Sequence, residues 1–174
     1  MRNSIRLTVL AAAALAFSTT AFAVNNQQSN FTVTATVASD CTITAATMTF
    51  GNYFVVANAS KPLDNQNTSI SYSCPLGVTA KIVLDQGTNQ ASGSTLAVPL
   101  RQMAMTVAET TTFLAYNLYS DAPGGLVFDG VTGIGSLAGT GSTAVLAVKG
   151  RVAEGQTPPA GNYTDTVIAT ITYF

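Results

Sequence analysis

The sequence predicts an all-β protein, an antiparallel β-sandwich, and three observations carry that reading. Beyond residue 23 no stretch shows a convincing 3.6-residue apolar period. Apolar residues instead alternate with polar ones in short runs, the period of a half-buried strand. Eight or nine such runs are separated by Gly, Pro, Asn and Asp clusters every 8–15 residues, the spacing of sandwich strands.

The elements follow in order. Residues 1–23 open with Arg2 and Arg6, continue through an apolar run from Leu7 to Phe17 and end Ala21-Phe22-Ala23. A basic start, a short apolar core and small residues at the end read as a secretory signal peptide cut after Ala23. The apolar run is about half the ~20 residues of a membrane span. Residues 31–37, FTVTATV, alternate strictly: Phe31, Val33, Ala35 and Val37 on one face, three threonines on the other. At roughly 3.3 Å per residue this segment spans about 23 Å, one sandwich strand. Cys41 follows, then a looser alternation to Phe50 and a short apolar run at 53–56.

Residues 58–67, with Lys61-Pro62 and several amides, read as a loop. TSISYSC at 68–74 and VTAKIVL at 78–84 flank the turn Pro75-Leu76-Gly77 and are expected to form a hairpin. Turn chemistry at 85–93 precedes strands at 100–105 and 113–119. Asp121 to Gly125 is a tight turn, 126–128 a short strand, and 130–142 a Gly-, Ser- and Thr-rich stretch. A strand at 144–152 and the turn Pro158-Pro159-Ala160-Gly161 lead to a terminal strand at 164–174. There Val167, Ala169, Ile171 and Tyr173 share one face.

Removing residues 1–23 leaves 151 of the 174 residues, enough for one domain with a real core. Five basic residues then face eight acidic ones, a net charge of −3. A weakly acidic chain with no basic cluster is not expected to bind nucleic acid. Charged residues make up 9% of the sequence, which leaves little to oppose self-association. Cys41 and Cys74, an even count in an exported chain, are expected to form a disulfide.

Catalytic chemistry finds little support. There is no histidine and no Gly-x-Ser-x-Gly elbow, so no enzyme, metal site or cofactor is expected. Gly133-Ile134-Gly135-Ser136-Leu137-Ala138 matches a dinucleotide fingerprint, but the Gly139-Thr140-Gly141-Ser142 after it cannot open the helix such a site needs. Residues 85–89 lack the acidic ligands of an EF-hand loop. Phe113, Tyr116 and Tyr119 could stack on sugar, but aromatic residues in a strand are expected in the core.

The two ends of the mature chain are the informative feature. It starts with a spare amphipathic strand and ends on a strand with no successor to pair with. A spare strand that fills the gap of the next molecule gives a head-to-tail contact, which grows into an open filament when the rotation does not close.

Several segments resemble the spore coat protein U domain family: FTVTATV with CTI at 41–43, MTFGNY at 48–53, SYSC at 71–74, LDQG at 84–87, RQMAM at 101–105, LAYNLYSD at 114–121, and above all PPAGNYTD at 158–165 leading into the terminal strand. The resemblance covers nearly all of residues 31–174. Phe128-Asp129-Gly130 stands where many members carry a tryptophan before glycine. The family includes subunits of archaic chaperone–usher pili. The resemblance therefore implies an incomplete immunoglobulin-like sandwich at 41–174, completed by a donated N-terminal strand. It implies a donor segment at 24–40 with Phe31, Val33, Ala35 and Val37 as its inward face, and an acceptor groove lined in part by Val167, Ala169, Ile171 and Tyr173. Implied partners are other copies or related subunits head-to-tail, a periplasmic chaperone and an outer-membrane usher, with no stable membrane insertion. The implied product is an extracellular surface fibre supporting adhesion and biofilm formation. A monomeric secreted sandwich that binds glycans, or a spore coat or matrix protein, is the rival reading.

Overall fold

A computed structural model describes residues 27–120 and 122–174. The expected signal peptide, the first residues of the 24–40 segment and Asp121 of the 121–125 turn lie outside the described residues.

Residues 27–36 are the described part of a first unit, and residues 37–174 are the body. No strand is assigned between residues 27 and 41, so the alternation at 31–37 is not realised as a strand in the single chain. Phe31 and Val33 are 90% and 79% exposed. An amphipathic strand without a ladder has neither backbone partners nor a surface to cover its apolar face.

The body is a sandwich of two antiparallel sheets with no helix among the described residues. Its strands are β1 (Thr42–Ala45), β2 (Leu63–Ser73), β3 (Thr79–Leu84), β4 (Arg101–Val107), β5 (Thr110–Tyr119), β6 (Ile134–Ala138), β7 (Thr143–Val152) and β8 (Ala169–Tyr173). One sheet has the order β1-β2-β7-β5-β4 and the other β6-β3-β8. Alternate residues of the central strands fill the space between: Ile70 and Tyr72 from β2, Ala80, Ile82 and Leu84 from β3, Leu114, Tyr116 and Leu118 from β5, Val148 and Val152 from β7. Phe128, 1% exposed, fills the core from the loop before β6.

Other sequence expectations change too; the expected strand at 126–128, for one, is reduced to a single bridge from Val127 to Tyr119. The segments around Pro75-Leu76-Gly77 do not form a hairpin, because β2 and β3 belong to different sheets. Each strand buries one face, and the turn is a corner that sets those faces against each other. The expected loop at 58–67 gives way to β2 from Leu63, where Asp64 pairs in register with Arg151 and their side chains form an ion pair at 2.7 Å. The Gly-rich stretch contains β6. A side chain at Gly133 (φ +54°) would collide with the Ile82 carbonyl, so glycine there lets two strands approach rather than cradling a phosphate. The terminal strand begins at Ala169, not at residue 164; Thr164 instead bridges to Ala104 on β4.

The two ends of the sandwich differ. At one end lie the Cys41–Cys74 disulfide, the 75–77 corner and the finish of β8, where Thr79 and Phe174 exchange both backbone hydrogen bonds. At the other lie the finish of β3 and β7 and the start of β8, with Leu84 opposite Ala169 and Val152 opposite Leu63.

Candidate functional site

β8 pairs with β3 along one edge only. In an antiparallel ladder hydrogen-bonded and non-hydrogen-bonded pairs alternate. The bonded pair Thr79/Phe174 therefore makes Lys81/Thr172 and Val83/Thr170 bonded as well. The N–H and C=O groups of Ala169, Ile171 and Tyr173 point away from β3, and no strand among the described residues takes them. The side chains of Val167, Ala169 and Ile171 pack half-buried against the core, while Tyr173 is 39% exposed.

β1 is the facing edge of the other sheet and lies close to β8. It is short: its last backbone tie to β2 is Ala46 N–H to the Ser69 carbonyl, 3.1 Å. Beyond that point a cleft of 380 Å³ opens between the sheets, lined by Met48, Phe50, Ile70, Val148, Val167 and Ala169 among others. Of the four terminal-strand residues singled out from the sequence, Val167 and Ala169 line this cleft. Ile171 and Tyr173 continue the same open edge toward the disulfide.

Met48 and Phe50 reach into the sandwich because β7 carries Gly150 at the point of contact. A Cβ there would sit 2.7 Å from the Phe50 ring and against the Met48 sulfur. Phe50 also meets Tyr116 edge-on, with centroids 5.9 Å apart.

A polar network fixes the start of β8. The Asp165 Oδ1 accepts hydrogen bonds from the backbone N–H and Oγ1 of Thr88 (3.0 and 2.9 Å), from the N–H and Nδ2 of Asn89 (3.2 and 3.1 Å) and from Thr166 N–H (2.9 Å). Its Oδ2 accepts the Tyr116 hydroxyl at 2.7 Å. Burial, and then the Asp165 carboxylate, push the Tyr116 phenol well above its ordinary value. Gly87 makes room for that carboxylate, which a Cβ would strike. Asp165 ties the segment to residues 88 and 89, and Ile168 N–H donates to the Asp85 Oδ1 at 2.9 Å rather than to a backbone carbonyl, so the regular ladder with β3 begins only at Ala169.

Arg101 supports the same region from inside. It is 1% exposed and donates to carbonyls rather than to a carboxylate: Nε to Asp85 at 2.8 Å, Nη2 to Leu84 and Phe128 at 3.0 and 2.7 Å. Burial pulls the guanidinium below its ordinary value. Cys41 and Cys74 form the expected disulfide, with Cα atoms 4.4 Å apart. Tyr116 and Tyr119, 7% and 6% exposed, lie in the core as expected of strand aromatics, while Phe113 is half in solvent, so the three form no stacking platform. Sequence reasoning missed Arg101, Asp165 and Gly150. One signal was available for the first: Arg101 is a lone charge at the head of an apolar strand.

No three His, Cys, Asp or Glu side chains gather into a metal-holding group among the described residues. No helix among them is long and apolar enough to cross a membrane. What the structure offers, among the described residues, is a strand edge with no paired strand beside a mostly apolar cleft that Thr164, Asp165 and Thr166 also line.

A sandwich with this open edge, a disulfide tying its first strand to the β2–β3 corner, and a match to the Spore Coat Protein U domain over residues 27–170 together make the chain a member of that family. A relative by sequence is Protein U of Myxococcus xanthus, 38% identical over 180 residues that cover 99% of this chain and 98% of that protein. The fold is also that of a chain in the crystal structure of the CsuC–CsuE chaperone–tip adhesion subunit pre-assembly complex from the archaic chaperone–usher Csu pili of Acinetobacter baumannii. The TM-score is 0.53 at 22% identity, over 78% of this chain and 40% of that one, so this chain spans well under half of that chain's length.

Proposed function

We propose that this protein is a structural subunit of a secreted surface fibre of the archaic chaperone–usher kind, polymerising by donor-strand exchange. The observation that carries the reading is the β8 edge, where Ala169, Ile171 and Tyr173 present backbone groups to no strand among the described residues. Exposed sheet edges are natural templates for added strands. Residues 31–37 supply what the edge lacks: an alternating segment with Phe31, Val33, Ala35 and Val37 on one face, exposed in the single chain.

Connectivity favours a second molecule as the donor. Cys41 lies at the end of the sandwich where β8 finishes. A segment folding back on its own body has to turn within residues 38–40 and then run parallel to β8. A segment from another copy is free to lie antiparallel, the pairing that is slightly more stable per residue. Burying Phe31, Val33 and Val37 contributes about 1.5–3 kcal/mol each, before ordering costs are subtracted.

An open edge over an apolar cleft needs a temporary cover during export. On this reading a periplasmic chaperone supplies it, an outer-membrane usher exchanges it for the next subunit's segment, and the fibre serves adhesion and biofilm formation. The chain acts as scaffold rather than catalyst. Deleting residues 24–37 tests the reading: cells should lose surface fibres, and unboiled gels should lose the ladder of strand-exchanged oligomers. Normal fibres from the deleted chain overturn it.

A further inference from the structure

The exposed loop at 54–56 is apolar and rigid at once. Phe54, Val55 and Val56 are 61%, 38% and 91% exposed. The backbone beneath them is locked by Asn58, itself 7% exposed. Phe54 N–H donates to Asn58 Oδ1 at 2.9 Å, Asn58 N–H to the Phe54 carbonyl at 2.7 Å, and Asn58 Nδ2 to the Lys61 carbonyl at 2.9 Å. The Tyr53 hydroxyl donates to the Ala153 carbonyl and accepts from Gln156 N–H, both at 3.1 Å. A loop built this firmly around side chains left in water is organised to present them.

Position gives the loop a partner. It follows the cleft-lining residues Met48 and Phe50 and sits by the finish of β7, at the end of the sandwich where β8 starts. A donated strand antiparallel to β8 brings its Val37 to that same end. Val37 and Cys41 are four residues apart, at most about 14 Å of extended chain. The donor's body therefore cannot stand clear of the acceptor, and it arrives with its disulfide end foremost. That end carries its own exposed apolar tip, Leu76, 80% exposed. Leu76 is held on the corner by Val78 N–H to the Pro75 carbonyl at 3.3 Å and by Gly77 at φ +84°.

We propose that the 54–56 loop is a docking surface for a second copy of this chain and receives the Leu76 corner of the copy that donates its strand. The contact deepens the fibre reading and rests on it: strand exchange joins two subunits, and this second contact sets the angle between their bodies.

The test uses the full chain assembled into fibres on cells, with a benzophenone side chain introduced at position 56. Illumination should give covalent adducts between neighbours that map to the peptide containing Leu76. Fibres that assemble but give no adduct, or adducts only elsewhere, overturn the contact and leave strand exchange standing. A wild-type chain that shows no strand-exchanged ladder on unboiled gels overturns the fibre reading and this contact with it. Val56→Asp and Leu76→Asp give a second readout, since both positions lie outside the core. Each variant should still assemble, into fibres that lose stiffness, read as a shorter persistence length than wild type in electron micrographs, because a charge will not stay desolvated in an apolar contact. Unchanged stiffness in both variants overturns the proposal.

Discussion

Tyr116 donates its hydroxyl to Asp165 Oδ2 at 2.7 Å, and this bond joins the two sheets at the point where the open strand begins. Tyr116 belongs to β5 in the five-stranded sheet; Asp165 belongs to the segment that delivers the chain to β8 in the other. Because the phenol is buried and faces a carboxylate, it stays protonated in the folded protein to a higher pH than in the unfolded chain.

That asymmetry has a sign. Below the ordinary phenol value of 10.0 both states hold the proton, and the contribution to stability is complete. Above it the unfolded chain ionises first, so stability falls as pH rises. Tyr116→Phe should cost about 1–3 kcal/mol near neutral pH, since it leaves Asp165 Oδ2 without its donor. It should also make the alkaline fall shallower. Urea unfolding on either side of about pH 10 measures both.

Arg101 predicts a sharper loss. Arg101→Met leaves the carbonyls of Leu84, Asp85 and Phe128 buried without their donor, which should destabilise the domain by at least about 2 kcal/mol. Arg101→Lys should recover little, because one ammonium cannot span three carbonyls held by a planar fork. Chemical denaturation of the three proteins orders them wild type, Lys, Met.

Gly150→Ala should displace Met48 and Phe50 from the cleft, because the added methyl takes the space of the Phe50 ring edge. The expected cost is about 1–3 kcal/mol, the range for an overfilled core. The edge-on contact of Phe50 with Tyr116 should be lost with it, and the change in near-ultraviolet circular dichroism reports that.

Val33→Asp tests the donated segment apart from the body. The residue precedes the body of residues 37–174 and is 79% exposed, so folding of the body and its disulfide should be unaffected. Oligomer formation on unboiled gels should fall by at least about tenfold, because a carboxylate would enter an apolar cleft. Thr34→Asp, on the opposite face, should be tolerated; the reverse pattern would mean a register shifted by one residue.

The sequence made some of this legible and hid the rest for physical reasons. Alternation located β3, β5 and β7 because each buries every second residue, as with Ala80, Ile82 and Leu84. The disulfide was legible from cysteine number and export alone. Pairing partners were not: 68–74 and 78–84 look like a hairpin locally, and only the packing of one sheet on another decides that the turn is a corner. The polar start of β2 read as a loop because Asp64 and Asn65 meet a partner 87 residues away, Arg151 and its neighbours. Asp165 fell inside the expected terminal strand, yet its carboxylate serves residues 88 and 89 and a tyrosine from the facing sheet. Within the cleft, Val167 and Ala169 were recoverable from the terminal alternation. Gly150 was not, since a glycine's role as a space for Phe50 exists only once both are placed.

The Cys41–Cys74 bridge has a mechanical consequence in a fibre of the proposed kind. Tension on the subunit enters through the segment that ends at Cys41. Without the bridge it would bear on β1, a four-residue edge strand that peels from β2 one hydrogen bond at a time. With it, the load passes covalently to Cys74, where β2 ends and β3 begins, and β3 is the strand that carries β8. The pull reaches the incoming strand's own docking edge by a route that bypasses the residues between the cysteines. That loop, 33 residues by sequence separation, is roughly 110 Å of extended chain, a length that each subunit keeps in reserve until the bridge is reduced.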